Sequence, residues 1–216
     1  MNWQHIFVYT IGFLAQLFFS GRILYQWIIS EKHKKVMAPP FFWLLSIIGS
    51  YLLFIYGILR DDFSIVLGQI FSYYIYLWNL DIQGIWQKLH KILKFILIAT
   101  PVVAFGLMLK DLPVYISNFF KNENIPVWLV VFGSIGQLIF SLRFVYQWLY
   151  STKKHQSLLP DGFWIISLIG SGIIIIYAII RRDPVLILGQ AFGFVAYSRN
   201  IIIGHNHKTN EVTNQD

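Results

Sequence analysis

Displaced by 121 residues, the sequence matches itself without a gap: positions 12–80 fall on 133–201, and roughly 40% of them are identical. Gln16 falls on Gln137, Ser20 on Ser141 and Arg22 on Arg143. Tyr25-Gln26-Trp27 falls on Tyr146-Gln147-Trp148, Pro39 on Pro160, and Phe42-Trp43 on Phe163-Trp164. Gly49-Ser50, Tyr56, Arg60, Asp62, Gly68-Gln69, Tyr76 and Asn79 recur as Gly170-Ser171, Tyr177, Arg181, Asp183, Gly189-Gln190, Tyr197 and Asn200. A chain built this way folds as one module made twice, so each module must be read first.

Each copy holds three apolar stretches, 6–29, 41–59 and 63–80 in the first and 127–150, 163–180 and 185–203 in the second. A helix crossing a bilayer needs about 20 such residues, so each stretch is a predicted span. Between the copies lies a seventh, 92–109, with Pro101 placed to kink it. Composition agrees. The chain is 56% hydrophobic and 12% charged, with mean hydropathy +0.60, whereas a soluble domain carries about 25% charged residues. The N-terminus lacks the basic region and small-residue cleavage site of a leader and is read as a retained first span. There is no cysteine, which excludes disulfides, thiolate metal sites and a cysteine nucleophile.

Three spans reverse the side of the chain and a fourth restores it, so the two copies are predicted to share one orientation, as parallel repeats. The net charge of +7 is spread over short segments between spans, the pattern of the positive-inside rule, and implies no nucleic-acid partner. Lys32, Lys34, Lys35, Lys88, Lys91, Lys94, Lys153, Lys154 and Lys208 share one side, predicted to be cytoplasmic. The turns at Arg60-Asp61-Asp62 and Arg181-Arg182-Asp183, and the loop with Lys110 and Lys121, lie opposite. The predicted fold is an all-α membrane protein of seven transmembrane helices, arranged 3+1+3, N-terminus out and C-terminus in. Its parts are a first repeat (1–81), an interfacial helix with a linker span (82–111), a second repeat (112–204) and a disordered tail (205–216).

Polar groups inside spans are costly and mark sites or interhelical contacts. At helical spacing Gln16, Ser20, Gln26, Trp27 and Ser30 share a broad face, with Arg22 on its flank. Gln137, Ser141, Gln147, Trp148 and Ser151 repeat the set, with Arg143. Asp62, Gln69 and Tyr76 form a stripe ending near Asn79; Asp183, Gln190, Tyr197 and Asn200 form its copy. The functional reading is a polar cavity between the bundles, faced by one arginine from each. A guanidinium offers a planar fork of donors suited to phosphate or carboxylate. Trp27, Trp148, Trp43 and Trp164 offer faces to a sugar ring or an isoprenoid chain. The structural alternative is that Arg22 and Arg143 snorkel to cytoplasmic lipid phosphates. Gly49-Ser50 and Gly170-Ser171 read as close-packing points, and the Arg60–Asp62 and Arg181–Asp183 pairs as turn stabilisers. His205 and His207 make no metal site, and no metal or cofactor is implied. The sequence has no GxSxG, HExxH or phosphate loop and no paired intramembrane carboxylates, so no catalytic residue is assigned.

The pattern of R-x-x-Y-Q-W followed by P-x-x-F-W, then G-S, R-x-D, L-G-Q, Y and N, resembles the lipid A biosynthesis N-terminal domain, here in tandem over 12–80 and 133–201. The 3+1+3 arrangement also resembles the SWEET and PQ-loop transporters in architecture, without their Pro-Gln motif. The resemblance implies a multi-pass protein of the bacterial inner membrane, at work in lipid A or related envelope glycolipid synthesis. It does not imply that the chain is the glycosyltransferase, which needs a nucleotide-sugar domain of α/β pattern. Three functions follow as expectations. The first is transport of a lipid-linked sugar or anionic lipid intermediate. The second is anchoring of a glycosyltransferase partner such as lipid-A-disaccharide synthase. The third is SWEET-like transport of free sugar. The sequence leaves the oligomeric state open, and a monomer is compatible with each.

Overall fold

The computed structural model describes residues 3–59, 63–110, 113, 126–182 and 184–213. These residues form helices and the turns between them, with no strand among them. Among the described residues eight helices follow in order: α1 Trp3–His33, α2 Pro40–Leu59, α3 Phe63–Ile82, α4 Ile85–Lys88, α5 Lys91–Lys110, α6 Val127–Lys154, α7 Asp161–Ile180 and α8 Pro184–Thr213. At 1.5 Å per residue, a 20-residue helix spans about 30 Å, the hydrocarbon thickness of a bilayer. Among the described residues, three stretches are also apolar enough to cross a membrane: Ile6–His33 in α1, Pro40–Leu59 and Asp161–Ile180.

Two expectations change. The segment after α3 is not one interfacial helix. Gly84 sits at φ 73° and ends α3, leaving the four-residue α4 before α5 begins. Only glycine adopts that conformation without cost. The tail expected to be disordered from His205 is helical through Thr213. Gly204 lies close to Asp161, and Lys208 bonds Asp161, so this last part of α8 is tied to the start of α7. Pro101 lies inside a continuous α5. The turn residues Arg60, Asp61, Asp62 and Asp183 lie outside the described residues.

By contact the chain divides into two compact units, Met1–Gly21 with Trp43–Asn124, and Arg22–Phe42 with Ile125–Asp216. The division cuts through α1 and so does not follow the expected repeat boundaries at 81 and 112. In the first unit, Tyr56 of α2 packs so close to Gly12 of α1 that a Cβ there would meet its ring at 2.8 Å. Trp43 and Phe54 of α2 pack on Tyr76 and Tyr73 of α3, with centroids 6.0 and 5.5 Å apart. The Tyr74 hydroxyl donates to Ile98 O of α5 at 3.2 Å.

The second unit repeats the glycine–tyrosine and tryptophan–tyrosine contacts at the positions expected of a duplicated module. Tyr177 lies 2.7 Å from a Cβ built on Gly133, and Trp164 packs on Tyr197 at 6.0 Å. The two close-packing glycines differ in what they touch. A Cβ on Gly49 would meet the Phe19 ring at 3.0 Å, while one on Gly170 would meet the Phe140 backbone nitrogen at 2.7 Å. A ring can turn away; backbone cannot. Gly170→Ala is therefore expected to destabilise by about 1–3 kcal/mol despite alanine's better helix propensity, and Gly49→Ala by less. Thermal unfolding of both variants in detergent checks the order.

Candidate functional site

Arg143 sits on α6 and is 4% exposed. Its guanidinium carbon lies 3.3 Å from the Phe140 ring centroid and 4.7 Å from that of Phe144. Phe163 of α7 and Tyr197 of α8 each add a ring at 5.8 Å. Arg22, on the half of α1 that belongs to the same unit, is also 4% exposed. Its guanidinium carbon lies 5.3 Å from the Phe42 ring and 5.2 Å from the Phe144 ring. Phe144 therefore receives both cations. A desolvated cation over an aromatic face gains about 2 kcal/mol, which helps hold each guanidinium in place. Neither group is spread on the surface, as snorkelling to lipid phosphates would require.

The glutamines near the helix ends have a structural use. Gln26 Nε2 lies within hydrogen-bond distance of Ser30 Oγ (2.8 Å) and Met37 O (3.2 Å), and Met37 N donates to Ser30 Oγ at 3.0 Å. Gln147 Nε2 reaches Ser151 Oγ and Leu158 O, both at 2.9 Å, and Leu158 N donates to Ser151 Oγ at 3.1 Å. Each Gln and Ser thus pins the loop that returns the chain to the next helix. In addition, Gln26 Nε2 donates to Asn200 Oδ1 at 2.8 Å, and Asn200 Nδ2 donates back to Gln26 Oε1 at 3.2 Å. Both residues are fully buried. Reciprocal amide bonding is the least costly way to bury two amides away from water.

The remaining predicted site residues scatter. Gln69 accepts a 2.8 Å bond from Ser50 Oγ. Asn79 and Asn200 are buried and donate to the carbonyls one turn back, Ile75 O and Ala196 O, at 2.8 and 2.9 Å. Tyr76 and Tyr197 are buried on Trp43 and Trp164. At 0% and 1% exposure those two tryptophans have no ring face open to a sugar. Gln190 is half-buried, and Gln16 and Gln137 are exposed. A separate cavity of about 280 Å³ lies in the first unit, between α2 and α5. Phe54, Ile58, Phe95, Ile96 and Val103 line it, and no predicted site residue does. Among the described residues no cluster of His, Asp or Glu could hold a metal.

Sequence reasoning missed the aromatic cradle. Phe42 and Phe163, and Phe19 and Phe140, are repeat-mates and could have been found that way, but Phe144 has Ile23 as its mate. It also missed two ion pairs. Arg199 Nη2 donates to Glu31 Oε2 at 3.1 Å, and Trp27 Nε1 donates to Glu31 Oε1 at 3.0 Å. The second pair joins Lys208 to Asp161. The hydrogen bond and charge of Asp161 raise the Lys208 ammonium above its ordinary value. A raised cation stabilises fully below its unfolded pKa of about 10.4 and loses that contribution as pH climbs through the folded value. Both partners are exposed, so Lys208→Ala is expected to lower stability by about 1 kcal/mol or less. Melting at pH 8 and above pH 11 should show the difference from wild type shrinking.

Residues 11–81 and 132–202 each match the family described as the Lipid A Biosynthesis N-terminal domain. The chain belongs to this family. Its two matches stand 121 residues apart, the offset at which the sequence repeats, and each contains one of the buried arginines. The lipid-A-disaccharide synthase of Chlamydia felis is 30% identical over 211 residues, covering 91% of this chain and 33% of that protein. Those of Chlamydia abortus and Chlamydia caviae are 32% and 33% identical, with the same coverage of both chains. The chain spans about a third of the length of these curated relatives. No solved structure matches it.

Proposed function

We propose that this protein works in the bacterial inner membrane, in the synthesis of lipid A or a related envelope glycolipid. There it carries a lipid-linked sugar or another anionic lipid intermediate across the bilayer. The seven long helices span the membrane as two like-facing repeats joined by α5, N-terminus out and C-terminus in. Rocking of one repeat against the other alternates access to the site.

One observation supports this reading above the rest: both guanidinium groups lie beside a single buried ring, at 5.2 and 4.7 Å. Two like charges gathered in a low-dielectric interior repel, and an anion between them converts that repulsion into attraction. Phosphate suits the arrangement because guanidinium binds it with paired, charge-assisted hydrogen bonds. The family's connection to lipid A synthesis supplies the class of lipid. The test is translocation of a fluorescent phosphorylated glycolipid in proteoliposomes. Protein-dependent acceleration is expected, and a rate equal to that of empty liposomes overturns transport.

A second reading has its own support. The relatives are named as disaccharide synthases, and this chain matches about a third of each. In that reading the module anchors a glycosyltransferase through its lysine-rich segments. Co-purification of such an enzyme with no translocation of any lipid favours the anchor.

A further inference from the structure

Trp164 is 1% exposed, and its indole Nε1–H has no hydrogen-bond partner among the described residues. An orphaned donor in a protein interior is rare and costly. In a membrane span, neither water nor lipid tails relieve it. A fold that retains one invites the question of which acceptor it awaits. The neighbours of Trp164 give the direction. Its ring stands edge-on to Phe163 at 4.8 Å and lies tilted on Tyr197 at 6.0 Å. Those same two rings flank the Arg143 guanidinium, each at 5.8 Å. With its faces packed, the tryptophan cannot stack on a sugar. What it offers is one N–H, on a ring packed against two of the rings that flank Arg143.

We propose that Trp164 is a specificity residue. Its Nε1–H donates to an oxygen of the phosphorylated headgroup held by Arg143. The ligand class is then a glycolipid with a phosphate, since a donor on a ring that shares two aromatic neighbours with a guanidinium suits an acceptor the guanidinium also binds, an anion rather than an ammonium or a bare sugar hydroxyl. This rests on the anionic-lipid reading above and adds to it the group that reads the anion.

Binding to the full chain in detergent micelles separates the two claims. The probes are monophosphorylated lipid A and its dephosphorylated form. Trp164→Phe, which keeps an aromatic ring and lacks the donor, is expected to weaken binding of the phosphorylated probe about fivefold to tenfold. Its affinity for the dephosphorylated probe should not change. The unliganded variant should melt no lower than expected for the lost ring volume. Replacement by benzothienyl-alanine, which preserves indole shape without the N–H, should reproduce the loss if Trp164→Phe folds poorly. If both variants bind like wild type while Arg143→Ala fails to bind, the tryptophan proposal is overturned and the anionic-lipid reading stands. If Arg143→Ala also binds like wild type, that reading falls with it.

Discussion

Combining Arg22→Ala with Arg143→Ala should reduce glycolipid translocation at least about 100-fold. Each charge-assisted hydrogen bond to a buried anion contributes about 1.5–3 kcal/mol, and a factor of ten corresponds to about 1.4 kcal/mol. Both single variants should fall short of the double. Because the two groups share the Phe144 ring, their effects should couple rather than add. Stability should move the other way or stay level, since the double change removes two buried cations. Unchanged translocation in the double variant takes the arginines out of the mechanism. A large loss of stability would make them structural instead.

The amide pair carries the largest expected effect on stability. Gln26→Leu strands the Asn200 amide, fully buried, and removes the clasp on Met37. The expected cost is about 1–3 kcal/mol for the stranded group, with the lost loop contact in addition. Asn200→Leu should cost a similar amount. Together they should cost less than the sum, because two apolar groups replace two amides and no orphan remains. Chemical denaturation of the four proteins in one detergent completes the cycle. Strict additivity would mean that the amides act separately, as residues lining a wet path would.

Much of the architecture is legible in the residues. Helix placement follows from apolar length bounded by prolines and lysines. The duplication is readable because paired contacts need paired residues: Gly12 with Tyr56 recurs as Gly133 with Tyr177, and Trp43 with Tyr76 as Trp164 with Tyr197. The candidate site is legible only in part, and the reason is that a repeat shows what the copies share. Phe144 brings the two arginines together, yet its mate is Ile23. Glu31 and Arg199 form an ion pair, yet their mates are Thr152 and Trp78. These contacts join segments far apart in sequence and break the internal symmetry, so self-comparison cannot find them. The polar stripes misled for a related reason. Helical spacing places Gln26 and Asn200 on inward faces, but not whether an inward amide meets water or another amide. The end of α8 was hidden by composition: a polar stretch reads as tail until Asp161 is found beside Lys208.

The most direct measurement is the identity of lipid that purifies with the protein. Wild type and the Arg22→Ala/Arg143→Ala variant, extracted in mild detergent, would be compared by mass spectrometry. The account predicts a phosphorylated glycolipid enriched over its abundance in the source membrane on the wild type, and lost from the variant. Bulk phospholipid alone, in membrane proportions and equal on both proteins, would contradict it.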